Sequence, residues 1–337
     1  MQVNSISLTK PVTARPVQNF TGAYVDKLYE KVQGKDVFKD ATNAQFNALK
    51  TYVLSKNYAL GVTPGDVAEL SKYDGNDFLL HSHDYLLKKL NIPEEIAPPF
   101  MVTDLNNKQA LMMYVPSMNV IMVNSTECEK QDKTALFKML RHEFQHYIQN
   151  VNILRYETFG DDAIEIYKNK YMDVQRNAFE SLYANNMIDK LMSSPDVPMN
   201  EKALLQYFKV LKDSNNNEGI NALFENISKD YVKQLVDFKN KVRKNLGVIP
   251  ADSPETKKIE VFFNEFKDLG YFNPNGELDY NKYLNSIIEQ DAILAQERAG
   301  FEFSQQGCFI RYAIDTFENA LKSDEFRNEM NKLNVQG

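Results

Sequence analysis

Arg141-His142-Glu143-Phe144-Gln145-His146 lies inside a run whose apolar residues Leu136, Leu140, Tyr147, Ile148 and Val151 recur at the spacing of an amphipathic helix. That helix is predicted over residues 133–154, capped at its start by Asp132 or Ser125 and uninterrupted by proline. Residues four apart share a helix face, so His142 and His146 can offer two imidazole nitrogens to one metal ion. Glu143, one step round the helix, falls beside that point, where a carboxylate can take a proton from water. The chain has four histidines, and two of them are in this one turn. Two His and one Glu at these offsets arise by chance in roughly one chain in a hundred of this size, so the surrounding sequence has to decide.

Upstream, residues 109–115 and 118–124 are short runs rich in Met, Val, Ile and Tyr, separated by Pro116-Ser117. They read as two strands joined by a tight turn. The second strand ends just before the motif helix. Over residues 98–154 this order of a strand followed by His-Glu-x-x-His resembles the zincin metallopeptidases. The resemblance implies a catalytic Zn2+ and Glu143 as general base. It also implies that the strand at 119–124 aligns an extended peptide or protein substrate by backbone hydrogen bonds. The implied fold is α+β, mostly helical, with a small sheet or hairpin packed against the motif helix.

Catalytic zinc keeps three protein ligands and one open position. No histidine follows His146, so the third ligand is expected to be a carboxylate, as in the gluzincins. An upstream histidine is the lesser alternative. In the stretch 283–292 the order Tyr283, Glu289, Ala292 is similar to a metallopeptidase pattern in which the Glu binds zinc and the Ala lets two helices approach closely. Glu289 is therefore the preferred ligand. Glu180, in the run 176–184, is the alternative, and Glu297 and Glu302 are outsiders. Tyr283, Arg311 and His83 are candidate donors to a developing oxyanion. His81 and His83, two apart, read mainly as incidental polar residues of a loop or helix start. Met112, Met113, Met118 and Met122 read as strand packing.

With 337 residues, 43% of them hydrophobic, the chain can bury a sizeable core. A net charge of −7 and the lack of a basic stripe argue against nucleic acid as a partner. No apolar run reaches membrane-spanning length. Residues 1–22 lack the apolar core of a secretory leader and are rich in Ser, Thr, Pro and Asn. They read as a flexible tail, and a cytoplasmic protein is expected, with leaderless export as the alternative. Asn19-Phe20-Thr21 fits a glycosylation acceptor but means little without secretion. Cys128 and Cys308 are too few for a disulfide framework. Residues 23–337 are expected to form one zincin-like domain with a helical excursion around 200–281. Helices are expected at 24–59 (one or two), 61–70, 84–90, 161–192, 200–212, 220–246, 256–269 and 282–322. The alternative to an enzyme is a helical binding protein in which the motif is a structural or vestigial metal site.

Overall fold

In the computed structural model, residues 55–103, 111–268, 280–304 and the single position 324 are described. The expected tail at 1–22, Asn19, nearly all of the helical run 24–59, the turn at 273–276, Cys308 and Arg311 lie outside them. The described elements are mostly helical with one small mixed sheet, an α+β fold. No helix among the described residues is long and apolar enough to cross a membrane. The chain divides into two compact units, Met1–Asn150 with Asn264–Gly337, and Val151–Phe263.

Among the described residues of the first unit come a 3-10 turn, Lys56–Tyr58, then helices α1 (Pro64–Leu70) and α2 (Gly75–Lys89). Helix α2 starts nine residues before the expected 84, because Asp74 precedes Gly75 in extended conformation and starts the helix there. His81 and His83 therefore sit in mid-helix. His81 stacks on Tyr73. His83 is buried against Phe100 and Phe144 and donates from Nε2 to the Pro98 carbonyl at 2.9 Å.

Strands β1 (Phe100–Thr103), β2 (Met112–Val115) and β3 (Val120–Asn124) form a sheet in the order β1-β3-β2. β2 and β3 are the expected hairpin, but Pro116–Asn119 forms its turn. Asn119 closes it at φ 48°, a left-handed conformation that Asn tolerates better than most residues. β1, which the sequence pattern did not reveal, pairs parallel with β3. β3 is thus the central strand, hydrogen-bonded on both sides, and cannot align a substrate backbone as expected. On that side of the described sheet the outer strand is β2.

After the short helix α3 (Ser125–Cys128) comes α4 (Lys133–Arg155), the motif helix. Of the two expected caps it uses Asp132, whose carboxylate accepts from the Ala135 amide at 2.8 Å. Phe137, Leu140, Phe144, Tyr147 and Val151 recur at three- and four-residue steps and are all buried. The sheet packs on this helix through Tyr114, whose ring meets Tyr147 edge-on and whose hydroxyl accepts from Asn150 at 2.8 Å.

The second unit holds the last turn of α4 and helices α5 (Gly160–Ala184), α6 (Ile188–Ser193), α7 (Met199–Asp213) and α8 (Asn217–Leu246), then the start of α9 (Thr256–Asp268). The single helix expected over 161–192 is two, because Asn186 at φ 54° ends α5. Its core is built on Phe179, Phe208 and Phe224, which meet one another edge-on.

The chain re-enters the first unit with the remainder of α9. Helices α10 (Tyr280–Leu284) and α11 (Ile287–Ser304) follow, where one helix over 282–322 was expected; residues 305–322 lie outside the described residues. The break is made by Ser286, whose hydroxyl caps the Glu289 amide at 3.2 Å.

Candidate metal centre

Helix α4 is buried on two sides, one apolar and one polar. His142, Gln145, His146 and Gln149, at offsets 0, 3, 4 and 7, form a polar stripe that faces α11. Contacts between the two helices run backwards in sequence: Lys138 with Glu297, Gln145 with Asp291, Gln149 with the Ile288 carbonyl. The helices are therefore antiparallel. They lie close, since a Cβ on Gly300 would come within 2.5 Å of the Lys138 stem. Ala292, Ala295 and Ala299 are fully buried on α11.

This pairing brings Glu289 to the motif. Its carboxylate oxygens lie 3.3 Å from His142 Nε2 and 3.1 Å from His146 Nε2, and the two Nε2 atoms are 3.0 Å apart. Zinc bonds of about 2.0–2.1 Å at the tetrahedral angle place neighbouring ligand atoms about 3.3 Å apart, so the triangle has nearly the size the metal requires. Two imidazole nitrogens and a carboxylate are also a donor set that suits zinc. Among the described residues no fourth His, Cys, Asp or Glu joins this group. Helix α11 keeps Glu289 in place at its first turn. Glu265 of α9 accepts from the Ile287 and Ile288 amides with one oxygen each, both at 2.8 Å.

Glu180, the alternative ligand, belongs to the second unit, where it pairs with Lys212 at 2.7 Å. Glu297 pairs with Lys138, and Glu302 accepts from the Leu60 and Val62 amides. Of the candidate donors, His83 commits its Nε2–H to Pro98. Tyr283 is half-buried in α10.

Glu143 is not part of the ligand triangle. Its Oε2 accepts from the Tyr114 amide at 2.6 Å. The Asn124 amide donates to the Leu111 carbonyl, which fixes the alternation of the β2–β3 ladder. In that alternation Met112 and Tyr114 direct their backbone groups away from β3. Glu143 therefore sits at the outer edge of β2.

A buried polar cluster lies behind the triangle, and the motif gave no hint of it. Asp291 accepts from Gln145 at 2.6 Å, from Gln149 at 2.9 Å and from the Tyr58 hydroxyl. Gln145 in turn accepts from Arg141 at 3.0 Å. Burial lowers the Arg141 pKa to about 10, against the opposing charges of Asp291, Tyr58 and Glu302. Burial, then the Asp291 charge, holds the Tyr58 phenol far above its ordinary value. A polar stripe at helical spacing on α4 was the available signal. Its partners 140 residues downstream carried none.

Electrostatics couples the triangle. Burial alone would drive the His146 pKa down, but the Glu289 carboxylate outweighs it and raises it to about 9. Burial likewise opposes the Glu289 charge, and the two imidazoles, His146 foremost, outweigh it and hold the carboxyl well below its ordinary 4.5. In metal-free protein the stabilisation from His146 is complete below its ordinary 6.5 and is lost as pH rises through about 9. That from Glu289 is present above 4.5 and is lost in acid. Melts of metal-free protein should therefore be highest between these limits, at 4.5 and 6.5, and decline toward pH 9. A His146→Gln variant should lack the alkaline decline. An identical decline in that variant would mean that the pair contributes nothing.

No family model matches the chain, and neither curated proteins nor solved structures gave a match.

Proposed function

We propose that this chain is a zinc-dependent hydrolase, a metallopeptidase acting in the cytoplasm on peptide or protein substrates. One observation carries the reading: three atoms of metal-ligand type converge near a carboxylate that is not one of them and that bonds to an outer strand of the described sheet. His142, His146 and Glu289 would hold the metal. Bound zinc supplies acidification of water and polarisation of a carbonyl. Glu143 takes the proton from the attacking water and returns it to the leaving amine. An extended peptide would lie along β2, the outer strand of the described sheet beside Glu143. This gives β2 the role expected of β3.

A second reading has its own support. The triangle is nearly enclosed, with side-chain exposures of 14% for His142, 16% for His146 and 4% for Glu289, which also suits a structural or vestigial metal in a non-catalytic binding protein. Both readings are tested by elemental analysis combined with mass spectrometry of a diverse peptide pool. The peptidase reading expects about one zinc per chain and cleavage that a chelator abolishes and zinc restores. Stoichiometric zinc without cleavage supports the structural reading. A metal-free chain after incubation with zinc defeats both.

A further inference from the structure

The two histidines of the triangle are not equivalent. His146 Nδ1 lies 3.0 Å from Gln149 Oε1, whereas His142 Nδ1 is buried with no hydrogen-bond partner among the described residues. The orientation of the Gln149 amide is fixed by what surrounds it. Its Nε2 faces two groups that only accept, the Ile288 carbonyl and Asp291 Oδ2, both at 2.9 Å. Turning the amide over would set its oxygen against both of them. Oε1 must therefore accept from His146, so His146 carries a proton on Nδ1. A neutral imidazole protonated there has its lone pair on Nε2, the atom that faces His142 and Glu289.

We propose that Gln149 is a positioning residue for the metal: anchored by Asp291 and the Ile288 carbonyl, it holds His146 in the tautomer and ring orientation that ligate through Nε2. The chain of contacts starts and ends on α11. Ile288 and Asp291 flank the ligand Glu289 in sequence, so one helical turn supplies one ligand directly and orients another through Gln149. Gln149 is 3% exposed, so no solvent is at hand to replace its acceptor. The inference rests on the metal reading above.

Gln145 provides a matched control. It is equally buried and also donates to Asp291, but its acceptor serves Arg141 rather than a histidine. Zinc affinity of the full chain, measured by competition with a chromogenic chelator, is compared for wild type, Gln149→Met and Gln145→Met. The expected result is a loss of roughly ten- to a hundredfold for Gln149→Met, the range for removing the orienting partner of a ligating histidine. Gln145→Met should lower the melting temperature while keeping affinity within a few-fold of wild type. Equal losses in both variants, or none in Gln149→Met, would overturn the inference. Spectra of zinc-loaded wild type with 15N-labelled histidine decide the matter even if Gln149→Met does not fold. They should show His146 bound through Nε2 with a slowly exchanging proton on Nδ1, and ligation through Nδ1 would overturn it. Wild type that takes up no zinc would instead defeat the metal reading itself, and this inference with it.

Discussion

His146→Ala is expected to raise the zinc dissociation constant by about a hundred- to a thousandfold. Small structural zinc sites are worth about 10–16 kcal/mol in apparent terms, so one ligand of a near-tetrahedral set carries about 3–4 kcal/mol. Each 1.4 kcal/mol is about tenfold in affinity. His142→Ala should lose a similar amount, and so should Glu289→Gln, because a neutral amide is a poor zinc ligand. Glu180→Gln should leave affinity unchanged, since that carboxylate pairs with Lys212 in the second unit. Chelator competition on all four variants checks the ranking. Weakening by Glu180→Gln with none by Glu289→Gln would move the ligand to α5.

The second large effect concerns chemistry alone. Glu143→Gln should keep zinc and fold yet lose hydrolysis by about a hundred- to ten-thousandfold, the usual cost of removing a positioned general base. The carboxylate lies outside the ligand triangle, and glutamine retains a carbonyl oxygen to accept from the Tyr114 amide. The substitution therefore isolates proton transfer from structure. Rates on a peptide cut by the wild type, with metal content measured in the same samples, make the test. A variant as fast as wild type would remove Glu143 from the mechanism. One that loses zinc as well would place it among the ligands.

The motif helix was legible because its two periodicities are dense and local: buried apolar residues at three- and four-residue steps, and two histidines four apart. The hairpin was legible for the same reason, its Pro116-Ser117 break lying between two β-rich runs. Strand β1 was not, because four residues after two prolines give no alternation to read. Its absence made β3 look like an edge when it is the middle of the sheet. The first turns of α2 were not legible because Gly75 and Asn76, poor helix formers, open that helix. Glu289 was named from a short pattern, but the glutamines behind the histidines and the aspartate that joins them were not. Gln145, Gln149 and Asp291 look like ordinary polar surface until α4 and α11 pack together. Only tertiary contact distinguishes a buried polar stripe from a solvated one.

Glu289 occupies the place on α11 where, after a capping serine, a glutamate commonly folds back on its own helix start. Here that side chain turns to the histidines, the Ser286 amide donates to the Tyr283 carbonyl instead, and Glu265 accepts from the next two amides, Ile287 and Ile288. The register of Glu289 is therefore set in part from α9, a helix outside the motif and outside α11 itself. A change at Glu265 or Ser286 would then shift Glu289 while leaving the motif helix untouched. In an alignment the site would then show as three separate islands, around Gln145, Glu265 and Glu289.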